Sequence, residues 1–254
     1  MSEDASMPLT GHLTELRNRL LTIVGTVVGL FFVTYFFSAE LLVLVQRPIA
    51  GQQLVFLAPT EAFFTRLKVA LYAAILIGLP IVLLQIWQFC APGLLSREKR
   101  YAIVFVACST ILFIIGALFC YFLILPYGLS FLLSFATDTI TPQISISFYI
   151  AFVFRLIVVF GIVFEVPLVI LILVQAGLVT PEFLSSNRSY IFVGAFILAA
   201  ALTPPDVITQ VFLAGPLIIL YEISVVAAKI IVKRKKKQAE SADEEEDIDL
   251  DEDE

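Results

Sequence analysis

Histidine is almost missing from this sequence: His12 is the single one, beside three cysteines in 254 residues. Cys90, Cys108 and Cys120 have no CxxC spacing and no histidine partner nearby, which argues against a zinc site or a dithiol redox pair. Cys108 and Cys120 share one apolar run and read as small packing residues. Absent too are a phosphate-cradling glycine loop, a catalytic triad, a metal-ligand cluster and a basic face for nucleic acid. No cofactor, no metal and no enzymatic activity is expected, and any uphill work must draw on a partner or an ion gradient.

Charge is scarce as well. Asp, Glu, Lys and Arg make up 15% of the chain, and 11 of the 22 acids crowd into Glu240–Glu254. Without that tail the body holds 16 cations against 11 anions (22 minus 11). The net charge of -6 therefore hides a basic-rimmed body with an acidic end. Such an end has no apolar face and is expected to be disordered.

What fills the chain is apolar: 60% of its residues, with a mean hydropathy of +0.99. Soluble domains of this size are not built this way. The runs are long and unbroken, where a transmembrane barrel would alternate. The expected class is an all-α polytopic membrane protein. The first sixteen residues are polar and include Glu3, Asp4 and Glu15, so no cleavable signal peptide is expected at the start.

Six spans can be read, at Leu20–Phe37, Val69–Phe89, Tyr101–Leu125, Phe148–Val174, Tyr190–Leu202 and Val207–Ala228. Residues 1–19 form an amphipathic segment, 20–232 the membrane domain, and 233–254 the basic, then acidic tail. Arg17, Arg19, Arg97, Lys99, Arg100, Arg188, Lys229 and the run Lys233 to Lys237 all fall at one side. Arg47, Arg66, Lys68 and Arg155 fall at the other. The excess places both termini in the cytoplasm. Span five is only about 20 Å long against a hydrocarbon core of about 30 Å. Span six has few apolar residues before Glu222, with Pro216 among them, so both are expected to be short. No internal repeat is visible.

Five stretches could carry chemistry. In LTGHLTELRNRL, Leu9, Leu13, Leu16 and Leu20 share one helical face, with His12, Glu15 and Arg19 on the other. That pattern suits a surface anchor with a Glu15–Arg19 pair. In QIWQFCAPGLLSREKR, Trp87 and Phe89 sit at belt positions and Glu98 stands among cations. Read plainly, this is an interface loop. Read more sharply, Glu15 and Glu98 make an acidic cytoplasmic site suited to guanidinium groups. FLAPTEAFFTRLKVA is a helix start, with Thr60 as N-cap and Glu61 at the positive helix end. VVFGIVFEVPLVILIL puts Glu165 near mid-membrane, about 25 Å from the outer end of its span, where an acid must face protein or a watery cavity. Pro167 deprives a carbonyl near Val163 of its donor and should kink the helix there. In LTPPDVITQVF the prolines make a tight turn, Asp206 caps the last helix, and Gln210 sits inside the membrane, able to bond another helix.

HLTELRNRL, PTEAFF, QIWQFCAPGL followed by EKR, FGIVFEVP and FVGAFILAAALTPPDVITQ occur in this order across residues 8 to 232. Together they resemble the TatC family, the multi-spanning core of the twin-arginine protein translocase. The resemblance implies six transmembrane helices in a curved, concave wall in the cell inner membrane. It implies binding of twin-arginine signal peptides and export of folded proteins, driven by the proton-motive force. TatA- and TatB-type single-span partners and self-association in a larger complex are implied too. Positions matching the signal-peptide site are Glu15, Leu16, Arg17, Phe89 and Glu98. The intramembrane acid on the concave face matches Glu165, and the partner-helix site matches Thr203 and Gln210. Pro204, Pro205 and Asp206 form the turn and cap between them. The competing class is a proton-coupled secondary transporter with Glu165 as proton relay, against which the absent repeats count. A third is a membrane anchor with no recognition of its own.

Overall fold

A computed structural model describes residues 9–49, 51–90, 99–137, 142–202 and 207–251. Within them the chain is helical almost throughout. The elements are α1 (Leu9–Phe36), α2 (Ser38–Gln46), β1 (Leu54–Val55), α3 (Pro59–Cys90), α4 (Lys99–Phe119), α5 (Leu125–Leu133), β2 (Ile144–Ser145), α6 (Ile146–Phe164), α7 (Val166–Gln175), α8 (Pro181–Ser186), α9 (Arg188–Leu202) and α10 (Val207–Asp251). A π-helical turn, Cys120–Ile124, joins α4 to α5 just before Pro126, whose missing N–H disturbs the ladder there. Five stretches are long and apolar enough to cross a membrane: Leu13–Phe36, Pro59–Phe89, Val104–Leu133, Ile146–Gln175 and Val207–Arg234. A sixth, α9, is apolar but has 15 residues, about 22 Å of helix. The chain is a multi-pass membrane protein.

Two compact units are present, Met1–Gly161 and Ile162–Glu254. In the first, α1 packs along α3, and Thr34 Oγ1 donates to the Ala70 carbonyl at 2.7 Å. Small residues on α3 (Ala70, Ala73, Ala74) let neighbours approach closely, as helix contacts in lipid require. Tyr72 stacks on Phe154 of α6 at 4.2 Å. At the end of α2 the Leu44 carbonyl accepts from the Arg47 N–H, and two tyrosines add bonds to this turn. Tyr121 donates to Leu44 at 2.6 Å and Tyr149 to Val45 at 2.8 Å. Gly161 lies against Phe113, and a Cβ there would overlap the Cε2 and Cζ atoms of the ring. Gly161→Ala should therefore cost about 1–3 kcal/mol through overpacking. The check is a lowered melting temperature in detergent, which a second change, Phe113→Leu, should partly restore.

At the far end of this unit the two short strands pair in parallel, Leu54 with Ile144 and Val55 with Ser145. Glu61 clasps them. Its carboxylate accepts from the Leu57 N–H at 2.6 Å, from the Ser147 N–H at 3.0 Å and from the Ser145 hydroxyl. Lys68 Nζ adds a bond to Ser147 Oγ at 2.7 Å. The helix begins at Pro59, so Thr60 lies inside the first turn and Glu61, not Thr60, serves the end of the helix. One acid thus ties two loops 84 residues apart. Glu61→Ala is expected to loosen both loops to protease, with Glu61→Gln intermediate because an amide oxygen still accepts.

The second unit packs α7 on α10 through Ile170, Val174, Tyr221, Val225 and Ala228, and α9 beside α10. Its last helix differs from the sequence expectation of a short span. Here α10 runs unbroken for 45 residues to Asp251, and its apolar part spans 28. Glu222 does not end the span because Arg188 pairs with it at 2.9 Å. Beyond the apolar part, Lys, Ala, Gln and Glu are good helix formers, and extending an existing helix is cheap.

Candidate functional site

The first site is built on the N-terminal part of α1 and the last turns of α3. One continuous helix carries the N-terminal segment into the first span, so the boundary read at residue 19 falls inside α1. Its polar face packs on protein. Leu13, Leu16 and Leu20 are exposed, whereas Glu15 and Arg19 face α3, with side chains only 23% and 19% exposed. In lipid this is the stable choice, because the apolar face meets acyl chains and the polar face meets protein.

Arg19 organises the contact. Its Nε and Nη2 both donate to Glu15 Oε1, the former at 3.1 Å. The Nη1 donates to Gln88 Oε1 at 2.7 Å and reaches Gln85 Oε1 at 3.5 Å. A planar guanidinium thus bridges a carboxylate and two carboxamides, a geometry a lysine ammonium cannot copy. Phe89 is half-buried beside Gln88 on the last turn of α3. Trp87 stacks on Phe105 of α4 at 4.0 Å, and its Nε1 has no acceptor among the described residues. Leu16 and Arg17 stand on the exposed side of α1. Glu98 lies outside the described residues.

Glu15 is therefore set in a prearranged polar patch, with Phe89 on the same turn as its glutamine support. The sequence reading had the Glu15–Arg19 pair but not Gln85 and Gln88. Their spacing of three along an otherwise apolar helix is the signal that could have found them.

The second site is the acid within the fourth span. The kink expected from Pro167 is present: α6 ends at Phe164, α7 starts at Val166, and Glu165 stands at the break. There Glu165 N–H donates to the Ile162 carbonyl at 3.1 Å, a tightened turn, and Val169 N–H donates back to the Glu165 carbonyl at 3.0 Å. Its side chain is half-buried, with Oε1 sealed from solvent.

The third lies where α9 ends and α10 begins. Gln210 Nε2 donates to the Phe196 carbonyl at 3.0 Å, so its amide bonds a helix of its own chain. Thr203, Pro204, Pro205 and Asp206 lie outside the described residues. A cavity of about 400 Å³ opens beside this pair of helices, lined by Val163, Ile170, Tyr190, Ile191 and Leu217 among others. Near it Tyr221 donates to the Leu184 carbonyl at 2.8 Å and holds α8 to α10.

Comparison with known proteins shows the family. Residues 11–216 match the family model of the Sec-independent protein translocase protein TatC. The TatC of Desulforapulum autotrophicum is 40% identical over 239 residues, covering 92% of this chain and 88% of that one. The TatC of Aquifex aeolicus is 42% identical over 240 residues, covering 90% of this chain and 98% of that one. A crystal structure of a twin arginine translocase receptor, TatC, in the detergent DDM superposes with a TM-score of 0.77 at 40% identity. It covers 85% of this chain and 99% of that one. By sequence and by fold, this chain belongs to the TatC family of Sec-independent protein translocase proteins.

Proposed function

We propose that the chain recognises twin-arginine signal peptides on the cytoplasmic face of the cell inner membrane and supports export of folded proteins across it. The observation that carries this reading is the half-buried Glu15, held by Arg19 against Gln85 and Gln88. A carboxylate already oriented by a guanidinium, with carboxamides beside it, is built to accept further guanidinium donors. Leu16, Arg17, Phe89 and Glu98 complete the recognition surface in this reading. Both termini are cytoplasmic by the excess of cations at that end. The six-helix region of residues 20–232 is the working domain.

Movement of cargo then depends on TatA- and TatB-type single-span partners, on self-association and on the proton-motive force. Thr203 and Gln210 offer a partner helix polar contacts. Glu165 supplies an intramembrane polar group. Membership of a translocase family sets the proton-coupled transporter reading aside.

The test is complementation. Cells lacking their own TatC, given this chain and its partners, should export a folded fluorescent cargo behind a twin-arginine signal. The same cargo behind a twin-lysine signal should stay in the cytoplasm. Equal export of both cargoes, or of neither by a chain shown to be inserted, would remove the recognition role.

A further inference from the structure

At the opposite end from the Glu15 patch, α2 and the 3₁₀ turn Arg47–Ile49 border a cavity of about 540 Å³. That volume lies inside the roughly 300–1,000 Å³ range of small-molecule sites. Its lining is half polar in character: Gln46, Arg47, Gln52 and Gln53, with Val43 and Ile49 as the apolar part. Among the described residues, no side-chain hydrogen bond or ion pair engages Arg47 or the three carboxamides. Within the fold Arg47 acts on Tyr121 only through its charge, and its side-chain N–H donors and those of the carboxamides stay available. Val43 of its lining is exposed, and so, elsewhere on α2 and at the end of α1, are Leu44, Phe37 and Phe36, the last 83% so.

Those two facts define a ligand with two halves. Exposed aromatic and aliphatic residues at the end of a membrane span lie at the boundary of acyl chains and headgroups. A guanidinium at that depth meets phosphodiesters, which it binds through paired N–H donors. Carboxamides suit the hydroxyls and ester carbonyls beside a phosphodiester. Cations are few on this side of the molecule, and Lys68 is engaged by Ser147. We propose that this cavity is a phospholipid site, in which Arg47 grips the phosphodiester of an outer-leaflet lipid and Gln46, Gln52 and Gln53 hold its headgroup.

The lipid would act as a structural ligand beneath the Glu61 clasp. The same cavity is bounded by Leu54 of β1 and by Ile146, which follows β2. An occupied site would fill the space between the end of α2 and the strand pair.

Native mass spectrometry of the delipidated full-length protein, titrated with phosphatidylglycerol, tests this. Wild type should retain one lipid more than Arg47→Gln, and that lipid's affinity should fall about tenfold on losing its charged contact. Arg47→Lys should fall between them, and Gln52→Ala with Gln53→Ala should weaken the same lipid several-fold. Melting curves of each apo variant keep a folding defect apart from lost binding. The proposal is overturned if every well-folded variant keeps the wild-type lipid count and affinity. Displacement of the lipid by equimolar glycerol 3-phosphate would overturn it too, since the site would then bind free phosphate.

Discussion

Export of folded cargo should fall to background when Glu165 becomes alanine, and glutamine should not restore it. The backbone at the break between α6 and α7 is satisfied without the side chain: the N–H reaches Ile162 and the carbonyl takes Val169. No side-chain bond from Glu165 caps α7. Pro167 enforces the break by itself, so both variants should insert and fold with the kink intact. What they remove is an ionisable group inside an apolar span. Such a group is costly to keep, and its retention points to function. The measurement is cargo export per inserted molecule, with insertion followed by immunoblot. Wild-type export by both variants would show that the acid does not serve transport. Export by glutamine alone would assign it a hydrogen-bonding role without a proton.

Arg19→Lys should weaken signal-peptide binding by about tenfold or more while leaving the fold in place. An arginine fork spans Glu15 and Gln88 at once, and an ammonium cannot hold both in that plane. Each lost contact to a charged group is worth about 1.5–3 kcal/mol. Arg19 and Glu15 are about four-fifths buried, which keeps their pair from being screened as at a surface, whereas the bond to Gln88 is exposed and contributes less. The Lys variant keeps the charge, so a fall in affinity would report geometry. Unchanged peptide affinity with a normal melting temperature would relegate Arg19 to a bystander.

Much of this was legible in the residues. Apolar runs gave the class and the spans, and the Glu165–Pro167 pair gave the break in the fourth. The weak fifth span is real: 15 residues cannot reach across a full hydrocarbon core. The last span was read as short because Glu222 limits its apolar stretch, and the partner Arg188 sits 34 residues away on another helix. Pairing across helices has no local signature. The same holds for Glu61, whose first-turn position suggested only a helix-end role. Its bonds to Ser145 and Ser147 depend on a second loop arriving beside it. Burial of Glu15 was not legible because a surface anchor and a helix packed on a neighbour share one pattern, and the glutamines that meet Arg19 lie 66 and 69 residues away.

The most direct test of recognition is the binding of a twin-arginine signal peptide to the purified chain, beside the same peptide with both arginines changed to lysine. Glu15→Ala and Glu98→Ala are measured in parallel. Tight binding of the arginine peptide, lost with lysines and weakened by either alanine, is the expected result. Equal affinity for both peptides, or binding indifferent to both carboxylates, would contradict it.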